Sequence, residues 1–177
     1  MFLAQMGAEA IKIEPPSGDP ARAQVPFDTY DGNEHSVWFA NLHCGKKSVV
    51  LDLKSEQGKA ALRDLIAEAD VFVEGFCLGV MQRLGFDYDS VRAFKPDIVY
   101  CSISAFGQEG ALAHHPAHDM AVQALAGSVN DGADGNPVVP GASSADMAAG
   151  LAALSAIRFA GDDWHPGAQP KNGADTP

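Results

Sequence analysis

Lys46–Phe86, KKSVVLDLKSEQGKAALRDLIAEADVFVEGFCLGVMQRLGF, is the stretch that sets the fold class. A strand-like run from Ser48 to Leu53 is followed by Ser55, a residue suited to cap a helix N-terminus. Ala61, Leu62, Leu65, Ile66 and Ala69 then recur at helical spacing and form one apolar stripe. A second apolar run, Val71–Val73, ends in Glu74-Gly75-Phe76. The pattern predicts a β-α-β unit whose strand ends face a loop, where open α/β sheets place ligands. Lys54 and Arg83 flank that place in an otherwise acidic chain, which points to an anionic small molecule.

Outward from this segment the alternation continues. Leu3, Met6 and Gly7 fit the last turn of a helix, and Ala10–Ile13 fits a strand. A Pro/Gly-rich break begins at Pro15, and irregular chain is expected to about Glu34. Short helices are predicted over Val80–Leu84 and Tyr88–Phe94, the latter stopped by Pro96. Asp97–Ile103 reads as a third clear strand. A helix from near His118 to Ala126 would end at Gly127, and Ser143 or Ser144 would cap a long Ala/Leu helix to about Phe159. Residues 161–177, rich in Gly and Pro and lacking apolar periodicity, are expected to be a disordered tail. Strands alternating with helices predict an α/β domain over residues 1–160 with a Rossmann-like, mainly parallel sheet.

Composition narrows the function. The chain has 177 residues, 46% of them hydrophobic and 20% charged, with a formal net charge of −11. That charge opposes binding to phosphate backbones or anionic lipid, so neither nucleic acid nor membrane is expected as a partner. No apolar run is long enough to span a bilayer and no signal peptide is visible. Cys44, Cys77 and Cys101 are widely spaced and odd in number, which predicts free thiols and a cytoplasmic setting.

Three constellations could carry chemistry. His118 and Asp146 each fall near a predicted helix start, where unpaired N–H groups and the helix dipole favour an anion. They could act as an acid/base pair, or Asp146 alone could attack an acyl group, or Asp146 could simply cap its helix. His114 and His118 have metal-ligand spacing only on a shared helix, which Pro116 opposes, so no metal site is expected. Lys46, Lys47, Lys54 and Arg83 could meet phosphates, with solvated surface charge the alternative for the first two. No glycine-rich dinucleotide or Walker fingerprint and no nucleophile elbow accompanies them. Phe76 could pack on an adenine or acyl chain, or cover the core beneath the next helix.

The motifs in order resemble one family. They are Gly7-Ala8 to Lys12-Ile13-Glu14-Pro15-Pro16 with Gly18-Asp19-Pro20-Ala21-Arg22, and Ser48–Lys54. Ala69–Phe76, Arg83-Leu84-Gly85-Phe86 and Ile98–Gly107 complete the set. It is similar to the class III coenzyme A-transferases, or CaiB/BaiF family, which includes α-methylacyl-CoA racemases. The resemblance covers residues 1 to about 160. It implies that Asp146, in Ser144-Ala145-Asp146-Met147, forms an acyl-aspartyl anhydride with an acyl-CoA, and that a carboxylic acid then takes the CoA. It implies a CoA site at Leu51, Lys54, Gly75, Phe76, Arg83 and Leu84, and interlocked homodimers in full-length members. His118-Asp119 also resembles the His-Asp pair of the racemases, where His118 and Asp146 would be two bases acting on opposite faces of the α-carbon. The sequence around Asp146 is closer to the transferases.

There are departures. Gly75 stands where Asn is commoner, and Pro15 where some members place a CoA-binding Arg. The family's first strand, second domain and returning C-terminal part have no counterpart within these residues. A shortened, non-catalytic CoA-binding remnant is therefore a third alternative.

Overall fold

The computed structural model describes residues 1–138 and 141–161; of the tail expected over residues 161–177, all but Gly161, which ends a helix, lies outside the described residues. The chain divides into two compact units.

The first unit holds residues 1–69 and 82–95. After the short helix α1 (Phe2–Gln5), strand β1 (Ala10–Glu14) pairs in parallel with β4 (Lys46–Val50), Ala10 opposite Lys46 and Glu14 opposite Val50. The chain between them is more ordered than the composition predicts. A 3₁₀ turn at Pro20–Ala23 precedes an antiparallel hairpin of β2 (Phe27–Tyr30) and β3 (Asn33–Ser36), and helix α2 (Val37–His43) follows. The hairpin turns at Asp31-Gly32, with φ of 54° and 83°. Two positive φ values are the requirement of the tightest right-twisted hairpin turn, and Asp-Gly is its preferred pair. Ser36 ends the hairpin and caps α2, its Oγ accepting from the Phe39 amide at 3.1 Å.

Helix α3 (Glu56–Ala67) begins as predicted, with Ser55 Oγ accepting from the Gly58 amide at 3.0 Å. Leu62 and Ile66, the centre of the predicted stripe, are buried together with Phe86 and Val91 of the same unit. Val91 lies in α5 (Tyr88–Arg92), capped by Asp87. Burying such side chains contributes roughly 1.5–3 kcal/mol each before entropy is counted.

The second unit holds residues 70–81 and 96 onward. Strand β5 (Val71–Glu74) pairs in parallel with β6 (Val99–Ser102), Val71 opposite Val99 and Glu74 opposite Ser102. Helix α4 (Val80–Leu84), with the predicted bounds, follows β5 in the chain, and its residues from Gln82 on belong to the first unit. Phe72 and Tyr100 meet edge-to-face on this pair, centroids 5.4 Å apart. Helices α6 (Asp119–Leu125) and α7 (Ser144–Gly161) complete the unit, and α7 also packs on β6.

The α/β class with parallel pairing agrees with expectation. One feature of the predicted unit does not: β4 and β5 do not pair with one another. Each finds its parallel partner elsewhere in the sequence, β4 with the earlier β1 and β5 with the later β6.

Candidate active site

Because β5 and β6 run parallel, their carboxyl ends lie on one edge of the pair. Glu74 ends β5, and the chain turns there through Gly75 and Phe76; Ser102 ends β6, followed by Ile103–Phe106. The buried Glu74 side chain holds the first turn, its Oε2 accepting from the Phe76 amide at 2.9 Å. A cleft of about 260 Å³ opens at this edge, lined by Gly75, Phe76, Ile103, Ser104, His118, Asp119 and Asp146 among others. It sits where parallel α/β sheets characteristically present their ligands.

Two helix starts supply the titratable wall. His118 is the N-cap residue of α6, just outside the helix, with no capping bond from its side chain. His114 and His115 line the cleft from the loop before it. That loop is not helical, so His114 and His118 do not share a helix face. Among the described residues no group of three or more His, Cys, Asp or Glu side chains converges to hold a metal ion.

Asp146 lies in the first turn of α7. Two backbone amides of that turn go to a residue on another helix: Asp119 Oδ1 accepts from Ala145 N at 2.8 Å and from Asp146 N at 3.1 Å. Asp119 thus takes the capping role expected of Ser143 or Ser144. Its other oxygen accepts from Gln123 Nε2 at 2.6 Å, and the same nitrogen donates to the Ala142 carbonyl at 2.9 Å. Gln123 is buried. The environment raises the pKa of Asp146, first through partial loss of water around its carboxyl and then through the Asp119 charge, with His118 opposing. At Asp119 partial burial acts against ionisation, but the hydrogen bonds from the α7 amides and Gln123 outweigh it and hold that pKa below the ordinary value. Two neighbouring carboxyls are therefore pushed apart in acidity, a pattern typical of sites that assign different tasks to like groups.

The predicted site residues fall into two sets. Gly75, Phe76, His118 and Asp146 come together on this cleft. Phe76 is 50% exposed rather than packed over the core. Leu51, Lys54, Arg83 and Leu84 belong to the other compact unit and are not among the cleft's lining residues. There, Leu51 and Leu84 are half-buried, while Lys54 and Arg83 are exposed. Among the described residues neither cation takes part in an ion pair.

Lys46 and Lys47 are accounted for differently. They start β4, at the end opposite Lys54. Lys47 pairs with Glu9 at 2.9 Å, and Lys46 Nζ lies 3.1 Å from His43 Nδ1.

Sequence reasoning gave Glu14 and Arg22 no role, though both belong to the motif at the end of β1. Glu14 is 2% exposed and accepts from Arg22 Nε and a terminal guanidinium nitrogen, both at 2.8 Å, from Ser48 Oγ at 2.7 Å and from the Asp19 amide at 3.0 Å. Lys12 pairs with Asp19 alongside. The Arg22 guanidinium beside it, aided by Ser48 and the Asp19 amide, holds Glu14 at a pKa of about 2 despite burial. This network fixes the turn after β1.

An α/β chain with a carboxylate-bearing cleft at parallel strand ends has the arrangement of a small-molecule site. Comparison with known proteins is more specific. The model of CoA-transferase family III matches residues 1–161, and the chain belongs to that family. It is 41% identical over 154 residues to the acetyl-CoA:oxalate CoA-transferase of Acetobacter aceti, covering 85% of this chain and 39% of the relative. It is 39% identical over 165 residues to the succinate–glutarate CoA-transferase of Agrobacterium fabrum, covering 90% and 41%. Among solved structures, a CaiB/BaiF family protein from Brucella suis superposes with a TM-score of 0.82 at 36% identity, covering 89% of this chain and 43% of that one. The chain spans about two fifths of the length of the relatives it matches. Among the described residues no helix is long and apolar enough to cross a membrane.

Proposed function

We propose that this chain carries the acyl-transfer centre of a CoA-transferase, with acyl-CoA and a carboxylic acid as substrates and Asp146 as the nucleophile. The observation that carries the reading is a first-turn aspartate of raised pKa on a cleft at parallel strand ends, in a chain whose relatives are named CoA-transferases. The ionised Asp146 carboxylate attacks the thioester carbonyl. The C–S bond breaks, leaving an acyl-aspartyl anhydride and CoA thiolate. Thiolate attack on the aspartyl carbonyl releases the first carboxylate and forms an aspartyl-CoA thioester. The acceptor carboxylate attacks that thioester, forming a second anhydride and freeing thiolate again. Thiolate attack on the acceptor's carbonyl then yields the new acyl-CoA and restores Asp146. Atoms and charge balance at every step, and no redox partner is needed.

In this reading Phe76 packs on part of the CoA, and Lys54 and Arg83, with Leu51 and Leu84, contribute to its binding. Exposed and screened by solvent, each such cation–phosphate contact is worth about 1 kcal/mol. The test is hydroxylamine trapping. Incubation with an acyl-CoA and hydroxylamine converts Asp146 to a hydroxamate that peptide mass spectrometry locates; a hydroxamate that persists in Asp146→Ala rejects the assignment.

A second reading has a specific observation behind it, since His118 lines the same cleft as Asp146. A two-base epimerase would exchange the acyl α-proton in D₂O and lose that exchange in His118→Ala. Binding of CoA with neither labelling nor exchange identifies a non-catalytic CoA-binding chain.

A further inference from the structure

We propose that Asp119, braced by Gln123, is a positioning residue for Asp146: it holds the first turn of α7 from a neighbouring helix and thereby aims the nucleophile. The inference rests on the reading of Asp146 as nucleophile. A helix leaves its first N–H groups unpaired, and an uncapped first turn frays. Here the amide of Asp146 and the one before it are both taken by a single carboxylate oxygen, at 3.1 and 2.8 Å. The other carboxylate oxygen receives Gln123 Nε2, which also reaches the carbonyl of Ala142, two residues before α7 starts. Both sides of the α7 entry are therefore tied to α6. Gln123 is only 5% exposed, so its side-chain geometry is fixed by packing.

The consequence for chemistry is geometric. A carboxylate on a fraying turn samples several orientations, and misplacement of a reacting group by about 1 Å can cost on the order of a hundredfold in rate. The same bonds also commit the two amides: they cannot serve as donors to a developing oxyanion while Asp119 holds them. Asp119 makes no use of its proton in this arrangement and acts only through its oxygens.

The experiment compares wild type, Asp119→Asn, Asp119→Ala and Gln123→Ala in the full chain. Amide hydrogen exchange at Ala145 and Asp146 and hydroxylamine trapping of Asp146 with acetyl-CoA are measured across pH. Thermal melts confirm folding. Asn keeps an oxygen for both amides, although it presents an amide nitrogen towards Gln123; Ala keeps nothing. Asp119→Ala is expected to lose amide protection and to lower the labelling rate at least about tenfold. Asp119→Asn should keep protection and stay within about threefold of wild type, and Gln123→Ala should fall between them.

Both Asp119 variants should also shift the midpoint of the pH–labelling curve downward, because a like charge beside Asp146 is removed. The other ionisable groups lining the cleft, Cys77, His114, His115 and His118, are unchanged in every variant. A cap whose charge does not reach Asp146 would leave that midpoint where it is. Wild-type labelling and wild-type midpoint in Asp119→Ala overturn the proposal. If wild type itself is not labelled, the nucleophile reading fails, and amide exchange still decides the clamp: unchanged protection in Asp119→Ala overturns it, lost protection supports it.

Discussion

The Asp119 carboxylate and the backbone amide of Asp146 are joined by a hydrogen bond of 3.1 Å across 27 positions of sequence. The bond fixes the helix start that carries one acid by means of another acid. It also sets two carboxyls close enough that the charge of Asp119 helps to raise the pKa of Asp146.

Asp146→Asn should therefore abolish hydroxamate formation while stabilising the chain slightly. A raised pKa means that the ionised side chain is held at net cost in the folded state at neutral pH. Because the residue is exposed, solvent screening keeps the gain small, about 0.5 kcal/mol or less. Urea unfolding at pH 7 measures it, and a loss of stability in Asp146→Asn would contradict the electrostatic account.

Gly58→Ala should be among the most damaging single substitutions. A Cβ at position 58 would stand 2.0 Å from the Asp52 carbonyl oxygen and 3.0 Å from the capping Ser55 Oγ. The obstacle is backbone, so it cannot swing aside. A loss on the order of 3 kcal/mol is expected from such overpacking, although Ala is the better helix former. Chemical denaturation compared with Gly58→Ser provides the check: Ser should be as harmful, since it carries the same Cβ.

Acid should weaken the first unit progressively. Glu14 has a folded pKa of about 2 against an ordinary value of 4.5, so its stabilisation is fully present above pH 4.5 and is lost as pH falls towards 2. His43, held down to about 4 chiefly by burial and then by the Lys46 charge, acts in the same direction between pH 6.5 and 4, because the unfolded chain takes up its proton first. Unfolding free energy should decline from about pH 6.5 downward. Glu14→Gln should flatten the part of the curve below pH 4.5, and a curve unchanged by that substitution would remove Glu14 as its source.

Lys54→Ala and Arg83→Ala should each weaken CoA binding about five- to tenfold, the scale of one screened cation–phosphate contact. Titration calorimetry at two salt concentrations separates charge from shape. A smaller salt dependence in each variant is expected, and an unchanged affinity in both would place the CoA phosphates elsewhere.

Much of the architecture was legible locally. Ser55 capping α3, the stripe through Leu62 and Ile66, the bounds of α4 and the glycine after α6 all follow from short-range steric and hydrogen-bonding rules. The hairpin at Asp31-Gly32 is signalled just as locally by its turn pair, but Asn33–Ser36 lacks the β-branched and aromatic residues by which a strand is read. Which strands pair was another matter. Nothing within Lys46–Phe86 shows that β4 joins β1 and β5 joins β6, because strand pairing is settled by long-range closure and burial. The cap on α7 is of the same kind: Ser143 and Ser144 were the nearest capable residues, yet Asp119 supplies the oxygen. Sequence alone carried the α/β class, the family resemblance and Asp146 as the residue to watch. Only the packing of α6 on α7 brought Asp119 to that residue's amide, since a hydrogen bond across 27 positions exists only when the intervening chain has folded.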